Sequence, residues 1–186
     1  AALCKRMLEI GGADVAQSKS ANGKTCLHYC AEMSWQPRSK PADVAEAQRL
    51  LKRRDQMEAV ARTMIDLLPV DSLACQDERK FTAFTYLTGS ALEGCCLRML
   101  ERLQDVDIAG EDKPDDAGGE PQDEQQQQQQ EQYSLLQRVV MLRAVDGCTA
   151  LHWASAKGML AVVQRLLAIG GKKLVCLRGV DGRTRH

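Results

Sequence analysis

The residues best equipped for chemistry in this chain are its cysteines and histidines. Cys26, His28 and Cys30 fall so close together that a zinc site can be imagined from them. Their spacing argues against it: on a helix start, side chains two apart do not face together, and no fourth ligand is evident. His28 and His152 could serve as general bases, but neither has a sequence-local nucleophile or an orienting carboxylate that recurs with it. The eight cysteines, at 4, 26, 30, 75, 95, 96, 148 and 176, show no paired CxxC spacing, so reduced thiols in a cytosolic protein are the simpler reading. There is no phosphate-binding glycine loop, HExxH or nucleophile elbow. No catalytic, cofactor-binding or metal-ligating residues are therefore expected, and the chain is not expected to be an enzyme.

The elements that carry these residues repeat. A turn followed by a helix start reads Asn22-Gly23-Lys24-Thr25-Cys26-Leu27-His28-Tyr29, then Asp146-Gly147-Cys148-Thr149-Ala150-Leu151-His152-Trp153, and opens again at Asp181-Gly182-Arg183-Thr184. A degenerate copy runs from Arg79 through Thr82 and Phe84 to Tyr86. A second segment places apolar residues on one helical stripe. It occurs as Leu3, Cys4, Met7, Leu8; as Val60, Ala61, Met64, Ile65; as Cys95, Cys96, Met99, Leu100; and as Val162, Val163, Leu166, Leu167. The interval from this stripe to the next turn threonine is 22 residues in three cases, and from threonine to its own stripe 13 residues in two, giving a unit of 35. The exceptions place about 22 extra residues after Thr25 and about 32 after Cys95, both between helices.

Each unit reads as turn, helix, short loop, helix. Asn-Gly and Asp-Gly supply the positive φ of a tight turn, and the threonine suits the N-cap. Gly158 is placed to end a first helix in a left-handed conformation, and Gly170-Gly171 to end the second. A two-helix unit leaves an apolar side uncovered, so neighbours must stack. Cys30 and Cys96 hold places taken by Ala154 and Val163, which reads as small-residue packing.

These residues resemble an ankyrin repeat. Thr149-Ala150-Leu151-His152-Trp153-Ala154, preceded by Asp146-Gly147 and followed by Gly158, Val162-Val163, Leu166-Leu167 and Gly170, carry the resemblance most specifically; Leu3 to Val15 and Asn22 to Ala31 also fit. Between Asp77 and Arg102 Lys80 replaces the turn glycine and Thr85 the histidine, so a distorted hairpin is expected there. The resemblance implies an all-α fold, a solenoid of stacked helix-turn-helix units with short hairpin loops and two insertions. It divides the chain into a half repeat (1–21), a repeat with a helical insertion at about 34–57 (22–76), a degenerate repeat (77–103), an insertion (104–132), a connecting segment (133–145), the best-matching repeat (146–180) and the start of another (181–186). It also implies that the recurring histidine hydrogen-bonds between turns and repeats.

The insertions differ in kind. Residues 42–68 contain no Gly or Pro and carry apolar residues at helical spacing, which predicts a second helix extended backwards by several turns. Within it Arg49, Lys52, Arg53 and Arg54 read as a solvated face, with a nuclear-import or acidic-ligand site as the alternative. Residues 104–132 combine acids, prolines, a Gly pair and a Gln run with few apolar residues, so disorder is expected. Residues 105–131 hold ten acids and one base, a net −9, which leaves 24 bases and 15 acids, a net +9, on the remainder. The acidic stretch could fold back over the basic body and compete with an acidic partner, a contact that salt would screen.

What remains is a surface. Tyr29, Tyr86 and Trp153 stand in register, and aromatics of this kind anchor interfaces; the alternative is that they pack helix against helix. The resemblance further implies contact positions at Asn22, Lys24, Glu32 and Met33, at Arg79, Phe81 and Gly89, at Asp146, Cys148, Ala156 and Lys157, and at Asp181 and Arg183. The expected function is a scaffold or adaptor that binds other proteins, with no cofactor and no small-molecule substrate. The second reading is a regulatory or substrate-recruiting segment of a larger enzyme such as a palmitoyltransferase or kinase. Nucleic-acid binding rests only on the +9 body and lacks a reader motif. No stretch approaches the roughly 20 apolar residues of a membrane span, nothing reads as a signal peptide, and the chain reads as a fragment located in the cytoplasm, with the nucleus as the alternative.

Overall fold

A computed structural model describes residues 18–34, 43–110 and 134–177, together with Arg6, Ile10, Gly11 and Asp14. The half repeat expected at Leu3 to Leu8, the glutamine run and the turn at 181–184 lie outside the described residues. What is described is helical, apart from one isolated bridge between Gln76 and Thr82.

Three segments begin alike. Thr25, Thr82 and Thr149 are the N-caps of α1 (Cys26–Met33), α4 (Ala83–Gly89) and α7 (Ala150–Ala156). Before each cap the chain makes the same turn. The amides of Gly23, Lys80 and Gly147 donate to the carbonyls of Ser20, Asp77 and Ala144 at 2.9, 2.9 and 2.8 Å. The amides of Ser20, Asp77 and Ala144 donate in turn to Lys24, Phe81 and Cys148 at 2.9, 2.9 and 3.0 Å. The distorted hairpin expected at Lys80 is therefore corrected: the turn is intact, with Lys80 itself at φ 59, beside φ 71 and 73 for Gly23 and Gly147. The Asp77 carboxylate holds it there, Oδ1 accepting from the amides of Arg79 and Phe81, both at 2.9 Å.

The loops after α4 and α7 repeat this economy. Gly158 has φ 69, and Ala91, in the same register, has φ 56. Their amides donate to Ser155 and Thr88, both at 3.1 Å. Left-handed backbone costs an L-residue about 1–2 kcal/mol, partly offset when glycine raises the entropy of the unfolded chain. Lys80→Gly and Ala91→Gly are each expected to stabilise the protein by about 0.5–1 kcal/mol, read as a higher urea midpoint. An unchanged or lower midpoint would contradict the strain.

The second helices are α2 (Val44–Leu67), α5 (Glu93–Gly110) and α8 (Leu160–Val175). α2 is the long helix expected within 42–68; Asp43 caps it, Oδ1 accepting from Glu46 at 2.7 Å, and it stops at Leu68 before Pro69. Arg102 of α5 satisfies its open C-terminal carbonyls, donating to Ile65 at 2.9 Å, Leu68 at 3.3 Å and Asp66. α8 kinks at Gly171, whose φ of 54 and ψ of −150 leave the helical region. The stop expected from Gly170-Gly171 is thus a break, after which one more turn runs to Val175.

α1 packs on α4 and α4 on α7; α2 packs on α5 and α5 on α8; each first helix packs on the second helix that follows it. The core lies between the two rows. Leu27, Phe84, Leu87, Ala61, Ile65, Cys96, Met99, Leu100, Val162 and Leu166 are buried in it.

Two expectations about the second insertion are corrected. Residues 104–110 continue α5 and are not coil. Tertiary contacts outweigh their composition: Leu103 is fully buried, and Gln104 accepts a hydrogen bond from Arg165 of α8. The segment 133–145 is more than a connection, because it holds the helix α6 (Leu135–Met141), capped by Ser134. Its Leu136, Val139 and Val140 are buried, and it packs on α5, α7 and α8. A single turn of helix, α3 (Val70–Leu73), packs on α5 ahead of the middle turn.

Candidate functional site

Stacked turns and first helices form one edge of the molecule. The Glu78 amide donates to the Asn22 carbonyl at 3.2 Å, and the Val145 amide to the Arg79 carbonyl at 3.1 Å, so each turn tip hangs on the one before. Gly23 is needed here twice over: besides its positive φ, a Cβ would lie 3.2 Å from the Glu78 nitrogen.

His28 ties this edge together from inside. The ring is fully buried. Nε2 lies 3.2 Å from the Phe81 carbonyl, and a carbonyl can only accept, so Nε2 carries the proton. Nδ1 is then the acceptor for the Thr25 amide at 3.2 Å and stands 2.8 Å from the Thr25 hydroxyl. His28 thus closes its own helix start and binds the next turn, the bridging role implied by the resemblance. His152 makes the same local contacts, 3.2 Å to the Thr149 amide and 2.9 Å to its hydroxyl. Burial pushes the His28 pKa below the usual value for histidine, outweighing the Phe81 carbonyl and Asp77, which favour the charged ring.

At the other end of Thr25, Lys24 gathers a cluster. Its Nζ lies 2.8 Å from each Glu32 carboxylate oxygen, 5.1 Å from the Tyr86 ring centre and 5.7 Å from that of Tyr29. The Tyr86 hydroxyl donates to Asp77 Oδ2 at 2.8 Å, and its ring meets His28 edge-on at 5.8 Å and Phe81 at 5.6 Å. Partial burial and the Asp77 carboxylate push the Tyr86 pKa up to about 12.

The structure brings Lys24, Tyr29, Glu32, Phe81 and Tyr86 together out of the sequence candidates. Tyr29 and Met33 are exposed at 42% and 51%. Asn22, Arg79 and Asp146 lie exposed at turn tips, Asp146 Oδ1 accepting from the Cys148 amide at 2.9 Å. Trp153 and Cys148 are half-buried, and Ala156 and Lys157 are exposed at the end of α7. Gly89 is buried inside α4 and offers no surface, which corrects its place among the contact positions. Asp181 and Arg183 lie outside the described residues. Sequence reasoning passed over Asp77, which orients both the Phe81 turn and the Tyr86 hydroxyl. The signal was available, since an acid three residues before a turn position without glycine is an Asx-type brace.

The buried thiols of Cys30, Cys95 and Cys96 are packing groups. Cys30 Sγ donates to the Met57 carbonyl at 3.4 Å and Cys95 Sγ to that of Glu58 at 3.6 Å. Burial pushes the Cys95 pKa up to about 11 and that of Cys96 well above the usual range, which keeps both from acting as thiolates. Among the described residues no group of three or more His, Cys, Asp or Glu side chains could hold a metal ion, and no helix is long and apolar enough to cross a membrane.

Compared with known proteins, residues 146–178 match the family model of the ankyrin repeat. No curated protein matches the chain.

Proposed function

We propose that this chain, an ankyrin-repeat protein, is a protein-protein interaction module whose layers stack as a solenoid. Ankyrin repeats are typically interaction layers without catalysis, and the reading assigns this chain no catalytic role. Helices α1 and α2, α4 and α5, and α7 and α8 are the paired helices of three layers. The turn tips and first helices form the partner face, and the second helices form the back. The observation that carries the reading is the shared register. Position for position, three turn-and-helix starts make the same backbone bonds while the residues along their rim differ: exposed Tyr29 and half-buried Tyr86 and Trp153 at one place, half-buried Lys24, Phe81 and Cys148 at another. A frame that holds its bonds constant and varies its surface suits recognition. The cytoplasm or nucleus as its compartment rests on the sequence, whose eight cysteines show no paired CxxC spacing.

Tyr29 and Met33 are the accessible anchors. Replacing both by Ala should weaken a partner by at least about 2 kcal/mol, roughly thirtyfold in Kd, with little change in the melting temperature. The check is calorimetric titration of a partner isolated with the unmodified chain. Unchanged affinity in the double variant, with the fold intact, would refute this face as the partner site.

A further inference from the structure

We propose that Lys24 occupies, from within the chain, a site for the cationic side chain of a partner, and that a lysine or arginine of the partner exchanges with it. The inference rests on the protein-binding reading and names the chemistry of the partner.

The arrangement around Lys24 Nζ is that of a cation receptor. A carboxylate grips it with both oxygens at 2.8 Å, and two tyrosine rings stand 5.1 and 5.7 Å away. The hydroxyl of the nearer ring donates a hydrogen bond to Asp77 at 2.8 Å, which enriches its face for a cation. With Asp77 counted, two carboxylates serve one ammonium, so the cluster retains a negative charge.

The fold does not need this lysine. In the other two layers Phe81 and Cys148 take its position, and Gly89 and Ala156 that of Glu32, while the turn keeps the same pair of backbone bonds. The lysine, the acid and the tyrosine pair are peculiar to one junction and are surplus to what builds the turn.

Exchange is geometrically open. The Lys24 side chain is only 14% exposed, whereas Glu32 is 41% and Tyr29 42% exposed. The receptor half of the site faces solvent, and its occupant is a flexible stem. An incoming ammonium or guanidinium reaches Glu32 and Tyr29 before Lys24 leaves, so neither carboxylate nor rings are left bare during the exchange. Lys24 then swings into water, where a lysine is well solvated.

The test uses ethylammonium, followed by the NMR signals of the Tyr29 and Tyr86 rings. Lys24→Ala vacates the site and is expected to bind ethylammonium at least about tenfold more tightly than the unmodified chain, a gain that Glu32→Gln removes again. A folded Lys24→Ala chain with no such gain overturns the proposal. Should that variant melt too low for titration, the unmodified chain decides. Added acetyl-trilysine amide should release the Lys24 ammonium signal from its Glu32-paired position, and an unmoved signal at saturating peptide overturns the exchange. A partner that contacts Tyr29 and Met33 while Lys24 stays on Glu32 also overturns it, yet leaves the interaction-module reading standing.

Discussion

Phe84→Ala is expected to lower the unfolding free energy by about 3–5 kcal/mol, the largest loss from any single substitution considered for this chain. Phe84 is fully buried on α4, the helix that touches α1, α5 and α7. Truncation leaves a void that two rows of helices would have to close together, and close-packed layers collapse poorly. The register supplies an internal control. Leu27, Phe84 and Leu151 occupy the same place after their threonines, but Leu151 in the last described layer is only half-buried. Leu151→Ala should therefore cost clearly less than Phe84→Ala in parallel urea titrations. Equal costs, or a loss under about 1.5 kcal/mol at Phe84, would mean that the middle layer is not enclosed as its burial implies.

His28→Ala is expected to cost about 2–3 kcal/mol, because it strands the buried Thr25 amide and takes from the Phe81 carbonyl the second of its two hydrogen bonds, leaving the one from the Asp77 amide. The same ring makes stability depend on pH. Its folded pKa is lowered, chiefly by burial, from an ordinary value near 6.5. The unfolded chain then takes up a proton first as the solution is acidified. The stabilisation is complete above about pH 6.5 and is lost as pH falls from there through the folded value. Protonation would also turn Nδ1 from acceptor to donor, facing the Thr25 amide. Lys24 and Lys19 disfavour the charged ring while Asp77 favours it, so these neighbours tune the window without reversing its sign. Urea midpoints between pH 7.5 and 5 should fall more steeply for the unmodified chain than for His28→Gln, with identical slopes as the contrary result.

Much of this was legible in the sequence because it is written locally. A threonine after Asn-Gly or Asp-Gly and ahead of an apolar helical stripe fixes turn, cap and buried face within ten residues, and Thr25 and Thr149 open helices accordingly, as does Thr82 in the degenerate copy. The long α2 followed from the lack of Gly and Pro. What went unread depends on distant partners. Lys80 keeps the turn without glycine because the Asp77 carboxylate and the Val145 amide on the Arg79 carbonyl hold it, and neither appears in a propensity argument. The acid-rich end of α5 continues a helix held at buried Leu103 and at Gln104, which accepts from Arg165 of α8. α6 announced itself faintly in Leu136, Val139 and Val140, at helical spacing, but seven residues gain stability only once packed on α5 and α8.

At the candidate site the same division holds. Tyr29, Tyr86 and Trp153 were visible because they share a register position. The pairing of Lys24 with Glu32 spans eight residues across a turn and a helix, a separation that no periodicity marks. Exposure also changes along the chain: Cys96 and Leu100 are buried on α5, which packs on α4, α6 and α8, whereas Val163 and Leu167, their counterparts on α8, are more open.

The stacking of turns is tested most directly by amide hydrogen exchange at Glu78 and Val145. Both residues are exposed at turn tips, Val145 at 65%, yet each amide is bonded to the carbonyl of the preceding turn. Protection of both amides, lost together with the global fold, is the expected result. Exchange at the rate of an unstructured peptide would contradict the layered account, since nothing but the neighbouring turn could shield them.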